Sequence, residues 1–298
     1  MLKLHSTRLG MFTITSRQDQ YLIYDLQDTD ARTGIAVIPE RGGIVTQWWQ
    51  GSHQWLYLDQ ERLQNPQLSV RGGIPILFPI CGNLPGNTYL VDGQSYQLSQ
   101  HGFARSLPWT VVAQDTETEA SLTLELTDTA ATREVYPFSF AVRFRYSLRG
   151  QTLTLEQTYE NRGSRSMPFA TGIHPYFTVG EKTALTWQIP SSATLSKDGL
   201  TSLPFANQFD FEQPELDLLF PHLNDQRASV VGAESRLTLH WDPEFRCLVF
   251  WTLQDQPFYC LEPWSSPRNA MNTGENLLML APGESMVLRL AFTGELMG

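Results

Sequence analysis

Two short stretches, Gln100-His101-Gly102-Phe103-Ala104-Arg105 and Gly172-Ile173-His174-Pro175-Tyr176-Phe177, hold two of the six histidines among small, aromatic and turn-forming neighbours. An imidazole titrates near neutral pH, so two of them converging beside a carboxylate would supply proton donors and acceptors without a cofactor. Gly102 lets the chain turn directly after His101, and Pro175 forces His174 toward an extended backbone. Read singly, each histidine also fits a buried structural role at a turn or strand end. The best carboxylate to join them is Glu262, set between the apolar run Phe258-Tyr259-Cys260-Leu261 and Pro263-Trp264. A carboxylate at the end of an apolar strand is costly unless paired or used, and burial raises its pKa toward the range of a general base. Asp217 is flanked by apolar residues in the same way, although an N-cap to a short following helix explains it equally well.

Two arginines belong with this set. Arg71 lies in the segment Val70 to Gly86, rich in glycine and proline, which predicts a stiff, turn-rich edge able to hold its guanidinium near a ligand. Arg105 follows His101 closely and can bind an oxyanion or hydroxyls; a surface ion pair is the plain alternative for both arginines. Tyr176 and Phe177, with Trp264, can wall a sugar site, since aromatic faces cover the apolar face of a pyranose while polar groups read its hydroxyls. His101, His174 and Glu262 also form a formal zinc-ligand set, but nothing in their spacing favours a metal over acid-base use.

The elements that must position these residues read as β-strands. Short alternating or β-branched runs recur at Tyr21 to Tyr24, Gly34 to Ile38, Ser121 to Leu126, Ala141 to Leu148, Thr152 to Tyr159, Arg236 to His240, Leu248 to Leu253 and Met286 to Phe292. Val142, Phe144 and Tyr146 alternate with Arg143, Arg145 and Ser147, the two-residue period of a strand with one wet face. Helix is expected only as a turn at Asp59 to Leu63 and after Asp217. The less patterned stretch Leu195 to Leu223 reads as a long loop near the site. Many short strands and no linker predict an all-β sandwich in a single domain over residues 1–298. Arg41-Gly42-Gly43-Ile44 and Arg71-Gly72-Gly73-Ile74 look alike for four residues only, too few for a repeat.

The 298 residues carry a net charge of −10 with 17% charged and 41% hydrophobic content, which argues for a large core and against a nucleic-acid partner. A small phosphorylated ligand remains compatible, because a few close arginines act within the screening length. No apolar run reaches membrane-spanning length, and three cysteines without a C-x-x-C pair suit a reducing, cytoplasmic setting. Phosphate-loop, dinucleotide, zincin and nucleophile-elbow signatures are all missing.

In combination, RGGIPILFPICG (Arg71 to Gly82), QHGFAR (Gln100 to Arg105), TGIHPYF (Thr171 to Phe177), LEPW (Leu261 to Trp264) and NTGENLLMLAPGES (Asn272 to Ser285) resemble the aldose 1-epimerase, or galactose mutarotase-like, family in family order. The resemblance implies a β-supersandwich of antiparallel sheets and cofactor-free interconversion of α and β anomers of a small-molecule aldose. It implies Glu262 as the base at the anomeric hydroxyl, His174 as the acid at the ring oxygen, His101 as a hydrogen-bond partner of the ring oxygen or a neighbouring hydroxyl, and Asp217 as a hydroxyl contact. Arg71 and Arg105 match positions that face the phosphate in hexose-6-phosphate 1-epimerases, whereas the E-P-W and N-T-G-E tail is closer to members acting on free sugars. A noncatalytic sugar-binding module on the same scaffold is the competing class.

Overall fold

In the computed structural model, which describes residues 11–196 and 201–297, each of the eight expected runs falls on a strand. Phe140–Arg149 and Thr152–Asn161 pair antiparallel with Phe144 opposite Gln157, burying Val142, Phe144, Tyr146 and Leu148 while Arg143 and Arg145 stay half exposed. The two-residue alternation thus does what the sequence pattern requires: one face enters the core and the other meets water. That wet face is laced by cross-strand ion pairs, Arg143–Glu125 at 2.7 Å, Arg145–Glu119 at 2.6 Å and Arg289–Glu156 at 2.8 Å. At such exposure these pairs add little stability but keep the sheet face polar.

Three large sheets and two two-stranded ribbons make up the strands of the described residues. A five-stranded antiparallel meander runs from Phe12 to Gln54. An eight-stranded sheet contains the long strands Phe140–Arg149, Thr152–Asn161 and Ser285–Leu296. A second eight-stranded sheet carries the strands Glu215–Phe220, Cys247–Leu253 and Phe258–Trp264, with Gly172–Ile173, Ile76–Leu77 and Tyr176–Thr178 beyond them. One continuous apolar core, from Phe12 to Phe292, takes side chains from all three. Among the described residues no helix is long and apolar enough to cross a membrane.

Register on the last sheet decides which residues share a face. Asp217 lies opposite Trp251, Trp251 opposite Cys260, and Val249 opposite Glu262. Side chains of directly opposed residues point the same way, so Glu215, Asp217, Trp251, Glu262 and Trp264 share one face. Phe220, Leu248, Phe250, Tyr259 and Leu261 occupy the other and enter the core.

Two expectations are corrected here. Asp217 caps no helix; it sits inside the strand Glu215–Phe220, where pairing with Cys247–Leu253 overrides the local capping signal. The stretch from Leu195 to Leu223 is not one long loop either, since it contains the strands Ser202–Pro204 and Glu215–Phe220; residues 197–200 lie outside the described residues. The helical turn expected at Asp59 is present as helix Gln60–Gln64, with Asp59 accepting the Arg62 N–H at 3.0 Å.

Phe78, fully buried, is the hub between the core and the site. Its ring packs against Phe103, Tyr136, Phe140, Tyr159 and Phe169, and its carbonyl accepts the N–H groups of Phe103 and Ala104. Phe78→Ala leaves a cavity ringed by aromatics that cannot collapse freely, so a loss of about 3–5 kcal/mol is expected from urea unfolding followed by tryptophan fluorescence. A loss below about 1 kcal/mol would mean that the ring cluster repacks.

Candidate active site

The polar face of the third sheet floors a cleft of about 250 Å³. That lies just under the range of about 300–1,000 Å³ typical of drug-sized ligand pockets and suits a single sugar ring better than an oligomer. Its lining includes eight of the nine residues singled out in the sequence: Arg71, His101, Arg105, His174, Tyr176, Asp217, Glu262 and Trp264. Phe177 departs from the expected wall, turning into the core against Tyr259 and Phe292. Alternation along Tyr176–Thr178 sends Tyr176 toward the cleft and Phe177 to the opposite face.

Three segments meet at the centre. Glu262, 1% exposed, comes from the strand Phe258–Trp264. Its Oε2 accepts the indole N–H of Trp264 at 3.1 Å, and its Oε1 lies 3.4 Å from His174 Nδ1. His174 stands between the short strands Gly172–Ile173 and Tyr176–Thr178, its backbone N–H donating to the Pro75 carbonyl at 3.0 Å. Its ring stacks on Tyr176 with centroids 4.7 Å apart and planes 8° apart. Nδ1 is buried without a hydrogen-bond partner, so the 12% of the side chain left exposed belongs to its other atoms and faces the cleft.

His101 is held by its own turn. Both His101 and Gly102 have positive φ, 66° and 70°, and a β-carbon at Gly102 would lie 2.2 Å from the Phe78 carbonyl oxygen. Only glycine permits that approach, which explains the H-G pair. His101 Nδ1 accepts the Gly82 N–H at 3.1 Å, so the ring proton of the neutral imidazole resides on Nε2. His101 is therefore a fixed donor.

Electrostatics separate the two partners at the centre. Burial pushes the Glu262 carboxyl well above its usual range, with Asp217 adding to the rise and Arg268, the Trp264 indole and Arg105 opposing it. Burial also lowers the His174 imidazole, helped by Arg105 and Arg268, to about 3. His101 is lowered well below its usual value, chiefly by burial. The two shifts run in opposite directions because desolvation disfavours both a carboxylate and an imidazolium.

Arg105 donates to the Gln100 carbonyl at 2.9 Å rather than joining a surface ion pair. Arg71 is exposed at the cleft, and its guanidinium makes no hydrogen bond or ion pair among the described residues. Metal-ligand reach is met not by the His101, His174 and Glu262 set but by His174, Cys260 and Glu262, whose ligand atoms lie within 4.8 Å of one another. Cys260 is there because it shares Glu262's strand face; the Nδ1 atom of His101 is already occupied by Gly82.

Several lining residues escaped sequence reasoning, Arg268, Trp251 and Glu215 among them. Arg268 donates to Asp217 Oδ1 at 2.6 Å, Trp251 Nε1 donates to Glu215 Oε1 at 2.8 Å, and Glu215 itself lines the cleft. Trp251 and Glu215 follow from strand parity once the register to Glu262 and Asp217 is known. Arg268 carries no such signal.

The aldose 1-epimerase family model matches residues 24–293. The chain belongs to the aldose 1-epimerase family. It is 41% identical to the Slr1438 protein of Synechocystis sp. PCC 6803, a solved structure superposing with a TM-score of 0.91 over 96% of this chain and 99% of that one. The plasmid-encoded protein LacX of Lactococcus lactis is 30% identical over 249 residues, 74% of this chain and 82% of LacX. A galactose mutarotase-like protein from Clostridium acetobutylicum, at 19% identity and a TM-score of 0.83 over 96% of this chain and 99% of its own, shares the fold. The antiparallel architecture is thus the galactose mutarotase-like fold expected from the motifs.

The raised Glu262 pKa carries a stability consequence. Burial of this carboxyl favours folding while it is protonated, and that contribution is lost as pH climbs from the unfolded value of 4.5 through the higher folded one. Glu262→Gln keeps a neutral group of the same shape. The variant is expected to be more stable than wild type at pH 7, by a margin that grows as pH rises above about 4.5. Urea midpoints at pH 4, 5.5 and 7 measure this; a margin independent of pH would contradict it.

Proposed function

We propose that the protein is an aldose 1-epimerase that interconverts the anomers of an aldohexose by general acid-base catalysis through ring opening. The observation that carries this reading is the Glu262 carboxyl, fixed on one oxygen by Trp264 and set with the other 3.4 Å from His174. Mutarotation needs one group to take the proton from O1 and one to protonate O5, and these oxygens are neighbours on the same carbon. Adjacent acid and base therefore match adjacent sugar atoms.

The proton balance closes within the pair. Ring opening starts from a Glu262 carboxylate beside a His174 imidazolium: Glu262 takes the O1 proton, His174 gives its Nε2 proton to O5, and the C1–O5 bond breaks to leave the aldehyde. Protonated Glu262 and neutral His174 result. After rotation about C1–C2, O5 attacks the other face, His174 recovers its proton and Glu262 returns one to O1. The two arrangements hold the same number of protons, so the cycle draws none from solvent. Burial makes Glu262 a stronger base and His174 a stronger acid, at the cost of populating the charged pair less. His101 Nε2–H and Asp217 serve as hydroxyl contacts in this reading, and the half-buried Trp251 offers an aromatic face.

A second reading, a hexose 6-phosphate as substrate, is favoured by one specific feature. Arg71 is an exposed guanidinium that makes no hydrogen bond or ion pair among the described residues, and it lines the same cleft as Arg105. Two such forks suit a phosphate dianion.

Polarimetry on freshly dissolved α-glucose, α-galactose and α-glucose 6-phosphate tests both readings. Acceleration of at least one sugar is expected, with Glu262→Gln lowering kcat by about 10² to 10⁴ while sugar still quenches tryptophan fluorescence. Saturable quenching with no acceleration of any sugar would instead mark a noncatalytic binding module. If the 6-phosphate is the substrate, Arg71→Met raises KM for it on the order of tenfold and leaves free glucose unaffected; equal effects on both would exclude a phosphate contact.

A further inference from the structure

Arg268 lies on the segment that leaves the strand Phe258–Trp264, and its surroundings tie together parts of the site that arrive from distant sequence. Its Nη2 donates to Asp217 Oδ1 at 2.6 Å, with both side chains largely buried. Its guanidinium carbon lies 5.3 Å from the centre of the Trp264 ring. Its stem packs so closely on the turn at Gly82 that a β-carbon there would fall 2.4 Å from Arg268 Cγ. That same Gly82 holds His101 from both sides: its carbonyl accepts the His101 backbone N–H at 2.7 Å and its N–H donates to His101 Nδ1 at 3.1 Å. The backbone carrying Arg268 is itself anchored, by Ser265 N–H to the Thr171 carbonyl at 2.8 Å and Asn269 N–H to the Asn83 carbonyl at 3.2 Å.

We infer that Arg268 is a positioning residue that locks the Asp217 carboxylate to the His101-bearing turn, so that these two groups act on the sugar as one unit. The inference rests on the reading of Asp217 and His101 as hydroxyl contacts. A guanidinium suits the task because its planar fork holds a carboxylate in one orientation while its stem fills the space that glycine leaves open at Gly82. It also brings a positive charge toward the general base. Glu262 is faced by Asp217 from the strand Glu215–Phe220, by His174 and Tyr176 from the segment beside it, and by His101 and Arg105 from the His101 turn. Cys81 and Cys260 are buried next to it, and the exposed Arg71 and Glu215 line the same cleft. Of these charges Arg268 opposes the effect of Asp217 on Glu262 most strongly. Removing it disfavours the carboxylate, so the acidic limb of the rate profile moves to higher pH.

The test uses Arg268→Met, which keeps the stem without the charge, and Arg268→Lys, which keeps the charge without the fork. For the sugar that wild type turns over, Arg268→Met is expected to raise KM on the order of tenfold, with a smaller fall in kcat at the pH optimum. Its acidic limb moves up in pH. Asp217→Asn costs little more in the Arg268→Met background than is already lost, since both changes cut one linkage. Arg268→Lys returns the limb toward wild type and recovers part of KM. Additive effects of Asp217→Asn and Arg268→Met on KM, or an unmoved limb, would overturn the inference.

Crystal structures of the two variants provide a readout that needs no turnover. In Arg268→Met the Asp217 carboxylate swings from its wild-type position and the Gly82 turn relaxes; an undisturbed carboxylate and turn refute the positioning role. If wild type turns over no aldose, the sugar reading fails separately and these structures still decide the role of Arg268. Should Arg268→Met not fold, Arg268→Lys carries the same comparison.

Discussion

The two-residue alternation of three neighbouring strands, Glu215–Phe220, Cys247–Leu253 and Phe258–Trp264, is the constraint on which the site depends. Their register commits Asp217, Trp251, Glu262 and Trp264 to one face and Phe220, Leu248, Phe250, Tyr259 and Leu261 to the other. A slip of one residue would carry the large apolar side chains into the cleft and the carboxylates into the core. That penalty far exceeds any preference of a single residue for its place, so the core fixes the geometry of the polar face. The geometry of the cleft is inherited from packing.

The same commitment explains the unusual electrostatics. Glu262 is inside a strand with Leu261 behind it in the core and Cys260 beside the aromatic cluster of Tyr176 and Phe258, so water cannot solvate its charge. A carboxylate there is tolerated only because an indole N–H holds one oxygen and Arg268 and Arg105 stand nearby. His174 suffers the mirror effect, since the environment that disfavours an anion on Glu262 disfavours a cation on the imidazole. Stability is given up at both groups, and the region in which it is given up is the cleft floor.

Much of this was legible in the sequence. Strand periodicity located the four longest strands, Ala120–Thr127, Phe140–Arg149, Thr152–Asn161 and Ser285–Leu296, because alternation at positions such as Val142, Phe144 and Tyr146 follows directly from burying one face; it did not locate Phe12–Gln18 or Ile44–Gln50. Seven of the eight proposed residues sit on the family motifs, whose turns and strands line the cleft; Asp217 does not. What was not legible depended on pairing between distant segments. Asp217 reads locally as a helix cap, and only its partner strand makes it a cleft residue. Trp251 and Glu215 become visible when register is known. Arg268 follows a serine-proline stretch with no pattern, and its role exists only through contacts with Gly82 and Asp217. The separation of the Glu262 and His174 pKa values likewise depends on burial, which no local motif encodes.

The two Arg-Gly-Gly-Ile segments show how far identical residues can part. Arg41 is buried, and its guanidinium gathers four carbonyls, those of Leu63, Arg62, Asn65 and Leu68, at 2.6–3.2 Å. They lie at the end of the helix Gln60–Gln64 and in the loop behind it, where helical carbonyls run out of backbone donors; that of Asn65 also accepts the Leu68 N–H at 3.1 Å. That loop leads to Ser69, Val70 and Arg71 at the cleft, where Asp59 N–H donates to the Arg71 carbonyl at 2.9 Å and Arg62 donates to the Ser69 carbonyl at 3.1 Å. One arginine satisfies a backbone so that the other can leave its own guanidinium open to the cleft. Neither role follows from the tetrapeptide. Each follows from what the fold sets opposite it: a ring of backbone carbonyls for Arg41, and open cleft for Arg71.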